Sequence, residues 1–110
     1  MATISNLYID QGTSFSSIID VHNDDGSAFD LTGYTILAQI RKTYTSTTAI
    51  NFTSSSPGVG QIEISLDDSV TKTIKAGRYV YDVIVSNTDL SNTLRIAEGI
   101  LTINPGVSRT

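Results

Sequence analysis

The sequence contains no cysteine and no tryptophan, and its single histidine is His22. Without cysteine, neither a disulfide nor a thiolate metal site can stabilise the chain, so it must fold through packing alone. This composition fits assembly in a reducing cytoplasm. No apolar run approaches the roughly 18 residues that a membrane-spanning helix needs. Residues 1–5 lack the basic and apolar regions of a secretory signal, so we expect no signal peptide.

Charged residues are also scarce, at 16% of the chain, and the formal net charge is -4. The seven lysine and arginine residues are scattered, and Arg41-Lys42 is the only adjacent pair. Such a chain has no basic patch to neutralise phosphates, so we expect neither nucleic acid nor a membrane as its partner. A length of 110 residues suits one core, which predicts a single domain over residues 1–104 and a tail over 105–110.

What the sequence does contain is alternation with a period of two, which is typical of half-buried strands. The clearest case is residues 77–86, where Tyr79, Tyr81, Val83 and Val85 share one face. Turn signals at intervals of about ten residues separate the strands. The predicted strands are residues 3–10, 14–21, 34–42, 49–52, 61–66, 77–86 and 93–103. This pattern predicts an all-β fold, a seven-stranded antiparallel immunoglobulin-like β-sandwich with one short helical turn between strands five and six.

Some of these strands leave alternatives open. The first could bury either Leu7 and Ile9 or Ile4 and Tyr8. Residues 49–52 could form an edge strand or a strand that crosses between sheets. Ile18 breaks the polar face of its strand, which suggests a second layer above it. The last strand changes phase between its two halves, which predicts a β-bulge at Glu98-Gly99.

The segment before strand six carries a more specific signal. Asp67 can cap a helical turn over residues 67–76, and Gly77 can end it in a left-handed conformation. The spacing of Gly77 and Tyr79 matches the tyrosine corner of immunoglobulin-like domains, in which the phenol bonds back to the preceding connection. Tyr81 then occupies the position of a disulfide cysteine and fills the core instead.

The polar residues do not assemble into a catalytic pattern. His22 lies in a turn, no serine nucleophile has a partner, and we expect no catalytic residue, no cofactor and no enzyme activity. Asp24, Asp25 and Asp30 could in principle hold calcium, but their spacing favours turns that cap their own backbone. Four of the five tyrosines fall at strand positions that alternation buries or half-buries. Tyr44 lies outside that pattern, and together with Arg41 it is the predicted partner contact.

Five short motifs, in this order, resemble a family of small virion proteins from tailed bacteriophages. They are Gln-Gly at 11–12, Asp-Asp-Gly at 24–26, Asp-Leu-Thr-Gly-Tyr at 30–34, Gln-Ile-Arg-Lys at 39–42 and Ala-Gly-Arg-Tyr-Val-Tyr-Asp-Val at 76–83. The pattern is similar to structural proteins of marine contractile-tailed phages and to the N-terminal domain of phage baseplate upper proteins. Within it, Asp30 and Gly33 predict a side-chain-capped turn that sets the entry to the third strand.

The resemblance implies an immunoglobulin-like structural protein located in the virion and assembled in the host cytoplasm. It would serve as an accessory attachment or capsid decoration module on tail, baseplate, neck or capsid. Its expected partners are other virion proteins, and symmetric copies within the particle are implied. The alternative is a carbohydrate-binding module that presents Tyr44 and the acidic turn at residues 22–26 to a host-surface glycan.

Overall fold

The computed structural model describes residues 3–23, 25–87 and 92–106, which form nine strands and one short helix. The strands are β1 (Thr3–Ile4), β2 (Leu7–Asp10), β3 (Phe15–Asp20), β4 (Thr35–Arg41), β5 (Ile50–Asn51), β6 (Thr53–Ser55), β7 (Gln61–Leu66), β8 (Gly77–Asn87) and β9 (Asn92–Asn104). The helix is α1 (Asp68–Thr71). The prediction of an all-β chain is confirmed.

The larger of two sheets has the strand order β1-β9-β8-β4-β5, and β2 also pairs with β9. β8 and β9 form the longest antiparallel pair, from Gly77 opposite Ile103 to Asn87 opposite Asn92. β1 and β2, in contrast, run parallel to β9. The prediction of a wholly antiparallel structure is therefore wrong for the first strand. Side-chain alternation is the same in parallel and antiparallel strands, so the sequence could not reveal this direction.

The smaller sheet is antiparallel and has the order β3-β7-β6. The predicted strand at residues 49–52 proves to be a crossing between the sheets, because β5 pairs with β4 and β6 pairs with β7. Phe52 lies between them and is 6% exposed. The first predicted strand likewise divides, into β1 and β2, around Ser5 and Asn6. These two divisions account for nine observed strands instead of the predicted seven.

Inward side chains from both sheets belong to one hydrophobic core. The ring of Phe52 lies 6.1 Å from that of Phe15 on β3 and 6.3 Å from that of Tyr81 on β8. Aromatic residues thus connect the two sheets at the crossing. In the first predicted strand Ile9 is buried and Tyr8 is exposed, so the strand buries the set of Leu7 and Ile9 rather than the set of Ile4 and Tyr8.

The helical turn is shorter than predicted, since α1 ends at Thr71 rather than at Ala76. The Asp67 side chain makes no capping hydrogen bond, contrary to the prediction; its backbone carbonyl accepts from the amides of Val70 and Thr71. Four helical residues bury little apolar surface, so tertiary contacts hold the segment. Gly77 has φ +145° but stands at the start of β8, several residues beyond the helix.

The predicted β-bulge exists but lies earlier than Glu98-Gly99. Val83 pairs with Ala97 and Ile84 pairs with Arg95, so Ile96 is the extra residue. Both Ile96 and Ala97 are buried, because the bulge lets two consecutive side chains face the core. The sequence showed the change of phase but not which of the intervening residues absorbs it.

Gly99 is not part of the bulge; its missing side chain leaves room for Ser5 and the Tyr81 ring. It lies opposite Tyr81, and a Cβ built on it would overlap the carbonyl of Ser5 and approach the Tyr81 ring to 3.2 Å. The Tyr81 hydroxyl donates to the carbonyl oxygen of Ser5 at 2.6 Å. Burial raises the pKa of the Tyr81 phenol, so it stays protonated as this hydrogen bond requires. Tyr81 fills the core, as predicted, and also anchors the bend between β1 and β2.

The predicted tyrosine-corner hydrogen bond is also present. The Tyr79 hydroxyl donates to the carbonyl oxygen of Lys75 at 2.6 Å. This bond is solvent-exposed. Lys42 covers the Tyr79 ring, with its Nζ 4.7 Å from the ring centroid. Tyr79 therefore holds the connection before β8 through a hydrogen bond at the surface, not through one in the core.

Candidate functional site: the outer face of the large sheet

The outer face of the large sheet consists of the side chains that alternate with the buried ones on β4, β8 and β9. Pairing aligns three of these strands so that Gln39, Asp82 and Glu98 lie side by side. The neighbouring positions along the strands are Leu37, Ile84 and Arg95 in one direction and Arg41, Val80 and Ile100 in the other. A polar and charged row thus crosses the middle of the sheet, and each flanking row combines two apolar side chains with one arginine.

Most of the exposed large apolar side chains in the described part of the chain lie on this outer face. The complete set is Ile4, Tyr8, Ile18, Leu37, Tyr44, Val59 and Ile100. Ile18 belongs to the small sheet and Val59 to a loop, while the others lie on the outer face or fold over it. Isolated exposed apolar residues are ordinary, whereas several on one face of a sheet make that face a candidate interaction surface.

A groove of about 290 Å³ crosses this outer face, and it brings the two predicted contact residues together. Arg41 and Tyr44 line it with Val80, Asp82 and Arg95. Tyr44 is 76% exposed and is therefore available to a partner. Sequence reasoning missed Asp82 and Arg95, because their neighbours depend on strand register. The alternation of residues 78–84 could have placed Asp82 on the outer face, but not beside Arg95.

Hydrogen bonds fix the polar groups of the groove in place. Arg41 donates from Nη1 to the Ser46 carbonyl oxygen at 2.6 Å and from Nη2 to the Gln39 side-chain oxygen at 3.2 Å. Across the strands, Arg95 Nε lies 3.4 Å from an Asp82 carboxylate oxygen, and its Nη1 lies 3.9 Å from Glu98. Two arginines and two carboxylates line the groove, so its formal charges cancel. The arrangement suits recognition by shape and hydrogen bonding, with pre-positioned polar groups around an apolar contact.

The carboxylates of Asp25 and Asp30 accept hydrogen bonds from residues of their own loops. Asp25 accepts from the Ser27 hydroxyl at 2.6 Å and from its amide at 2.9 Å, and Asp30 accepts from the Thr32 amide at 3.0 Å. These hydrogen bonds lower the pKa of both carboxyl groups. The Asp30 turn forms as predicted, with Leu31 buried and Gly33 at φ +81°. Asp24, the third residue of the calcium alternative, lies outside the described residues.

Among the described residues, no group of three His, Cys, Asp or Glu side chains could hold a metal ion. In the same part of the chain, no helix combines the length and apolar character needed to cross a membrane.

Tyr44 and the acidic turn lie at opposite ends of the molecule. The turn follows β3, where Val21 bonds Gly60 and Phe29 packs against Tyr34 just before β4 begins. Tyr44 comes after β4 ends, and seven strand residues separate these two ends by roughly 20 Å. The two features proposed for a glycan site therefore do not form one site.

Comparison with known proteins gives a likeness of fold. No protein-family model matches the chain, and no curated protein does. Among solved structures it is similar to the crystal structure of InlP from Listeria monocytogenes, with a TM-score of 0.51 and 14% sequence identity. The alignment covers 94% of this chain and 28% of InlP, so this chain spans less than a third of that protein. At this identity the likeness concerns the fold alone.

Proposed function

We propose that this chain is a non-enzymatic docking module, an accessory structural protein of a phage virion that binds a larger particle protein through the outer face of its large sheet. The virion setting comes from the resemblance of its five motifs to small phage structural proteins. The surface comes from the arrangement of exposed side chains.

We further propose that the two sheets pack as an immunoglobulin-like sandwich. The strand orders β1-β9-β8-β4-β5 and β3-β7-β6 support this arrangement, as does the shared core around Phe52. The Tyr79 hydrogen bond to Lys75 is a further feature of that fold class. A sandwich would leave one whole face of the large sheet free for docking, which is what the proposal requires.

The observation that carries the docking proposal is the collection of apolar side chains on the outer face. Tyr44, Leu37 and Ile100 are 76%, 44% and 39% exposed. Tyr44 lines a groove with two arginines and two carboxylates, and Leu37 and Ile100 lie two strand positions from the groove residues Gln39 and Glu98. Exposing these side chains to water is unfavourable, and covering them stabilises a complex. Aromatic and arginine side chains, here Tyr44 and Arg41, are the residue types that contribute most at such contacts.

Incorporation into particles tests the proposal. The chain would be supplied with a tag during infection by the phage that encodes it, and particles would be purified by density gradient. We expect Tyr44→Ser to reduce the amount of tagged chain per particle. Val59→Ser is the matched control, because Val59 is 78% exposed but lies in a loop away from the outer face.

Three results would contradict this function. The wild-type chain could be missing from particles, or both variants could be incorporated equally well. Alternatively, the purified chain could bind a glycan array through Tyr44, which would favour the carbohydrate-binding alternative.

A further inference from the structure

The free edge of β3 is the longest regular sheet edge in the described part of the molecule. β5 and β6, at two other edges, contain two and three residues. The edge formed by β1 and β2 is interrupted at Ser5 and Asn6. β3 has six consecutive strand residues and pairs on one side only, with β7. Its sequence, Phe-Ser-Ser-Ile-Ile-Asp, contains no lysine, proline or bulge, and of the usual protections against edge pairing it carries only one charge, Asp20 at its end.

The edge of β3 borders a gap between the two sheets. This gap, a groove of about 210 Å³, is lined by residues 17–20 of β3, by Ser5 and Leu7 at the bend from β1 to β2, and by the core residues Ile64, Tyr81 and Ala97. Ile18, near the middle of the strand, is 53% exposed, although the sequence suggested a covering layer there. An added strand would find both unpaired backbone groups and an apolar side chain.

The direction of the backbone groups of β3 follows from one hydrogen bond. The Val21 amide donates to the Gly60 carbonyl oxygen at 2.7 Å, on the side of β7. Backbone groups alternate sides along a strand, so Ser17 and Ile19 also face β7. Ser16, Ile18 and Asp20 therefore direct their N–H and C=O groups to the free edge, and their side chains point to the exposed face of the small sheet.

These three residues are complementary to themselves in an antiparallel pair. If Ile18 lies opposite Ile18 of a second copy, then Ser16 of each copy lies opposite Asp20 of the other. In this register the paired residues exchange backbone hydrogen bonds, and the buried faces of both small sheets stay on the same side. The two isoleucines contact each other at the symmetry axis, while each Asp20 carboxylate faces a serine hydroxyl rather than another carboxylate.

We propose that two copies of this chain associate through antiparallel pairing of their β3 edges, with Ile18 on the two-fold axis. The two three-stranded sheets then become one continuous six-stranded sheet. Such a two-fold contact is closed, because the same edge serves in both copies. The outer face of the large sheet stays uncovered in this dimer. The association does not depend on the docking function, and either can fail without the other.

The first test measures the oligomeric state of the purified chain by sedimentation equilibrium at concentrations up to about 1 mM. We expect a monomer–dimer equilibrium. Ile18→Lys should raise the dissociation constant about tenfold or more, because it removes an apolar pair and places like charges opposite each other. The matched control is Leu37→Lys, since Leu37 is a 44% exposed strand residue on the other sheet. It should leave the constant unchanged, and circular dichroism checks that both variants are folded.

A second test reads the register directly by amide hydrogen exchange at low and high concentration. The amides of Ser16, Ile18 and Asp20 should exchange fast in the monomer and slow down in the dimer. Those of Ser17 and Ile19 should be protected in both states. This pattern separates edge pairing from any association through a face, which would protect neither set selectively.

A third test uses the absence of cysteine from the chain. Ile18→Cys should form a disulfide-linked dimer under mild oxidation, because residues opposite each other in a hydrogen-bonded antiparallel pair lie about 5.5 Å apart at Cα, within the range of a disulfide. Leu37→Cys should not. A chain that is monomeric at every concentration, a dimer that survives Ile18→Lys, or one that Leu37→Lys abolishes would each overturn the proposal.

Discussion

The two sheets expose opposite kinds of surface. The large sheet exposes the large apolar side chains Leu37, Tyr44 and Ile100 beside the charged residues of its outer face, while its edges are short or interrupted strands. On the small sheet the outward positions are mostly polar, and its β3 edge is long and free. A face binds through side chains, whereas an edge binds through backbone groups. If both proposals hold, this small domain binds a particle protein and a second copy at the same time, and changes in one surface need not affect the other.

The two sheets differ in their outer surfaces but share one core. Shortening a core side chain in each sheet tests this sharing, and these substitutions have the largest expected effect. Ile64 of the small sheet and Leu101 of the large sheet are both fully buried. We expect Ile64→Ala and Leu101→Ala each to lower the free energy of unfolding by about 2–5 kcal/mol. Urea denaturation followed by circular dichroism should show one transition for both. A second transition that appears only in Ile64→Ala would mean that the small sheet unfolds separately.

The bend between β1 and β2 interrupts one edge of the large sheet, whereas the β3 edge of the small sheet is regular. Gly99 makes room for this bend. Gly99→Ala should destabilise the chain by about 1–3 kcal/mol, because its Cβ would displace the backbone of Ser5. The Tyr81 hydrogen bond to Ser5 should be lost with it. In a double-mutant cycle, Tyr81→Phe should therefore have little further effect in the Gly99→Ala background. Full additivity of the two changes would show that Gly99 does not position Ser5.

The two tyrosines of β8 compare a core hydrogen bond with a surface one. Tyr81→Phe should lower the free energy of unfolding by about 1–1.5 kcal/mol, since the Ser5 carbonyl loses a partly buried donor. Tyr79→Phe should cost about 0.5 kcal/mol, because water can replace the phenol at the exposed Lys75 carbonyl. Thermal melts of both variants measure the difference. If Tyr79→Phe lost as much stability as Tyr81→Phe or more, the Tyr79 hydrogen bond would be the core one and the Tyr81 hydrogen bond the surface one.

The smallest expected effect concerns the acidic loops, which belong to neither interaction surface. The pKa of Asp30 is lowered below its ordinary value of 3.8, chiefly by the Thr32 amide. Its contribution is therefore present above that ordinary value and is lost as the pH falls through the lowered pKa. Melting temperatures measured from about pH 5 to pH 2.5 should decline slightly less in Asp30→Asn than in the wild type. Identical declines would show that the turn hydrogen bond does not distinguish the charged form.

Alternation predicted most of the fold because it depends only on which residues face the core. It located the strands that became β3, β4, β7, β8 and β9 and the face of each that is buried. The Asp30 turn and the Tyr79 hydrogen bond were also predictable, since both are local. Strand direction, the crossing at Phe52 and the position of the bulge depend on contacts between distant segments, and a pattern of single residues does not contain them.

The candidate site was predictable only in part for the same reason. Tyr44 and Arg41 were found because a tyrosine outside the alternation and an adjacent basic pair are visible in the sequence. Their neighbours Asp82, Arg95 and Glu98 come from two other strands, and only the register places them there. Tyr8 was expected to be at least half-buried but is 67% exposed, because its strand turned out to bury Ile9 instead.

The cancellation of charge in the groove has a consequence for the speed of binding. Two arginines and two carboxylates line the groove, and their opposite charges together produce little net electric field beyond a Debye length of about 8 Å at physiological salt. The groove itself would therefore neither attract nor orient a partner from a distance. Association through this surface should then proceed at roughly 10⁵–10⁶ M⁻¹s⁻¹ and change little with ionic strength, so that the lifetime of the complex, rather than the encounter, determines how firmly the module is held.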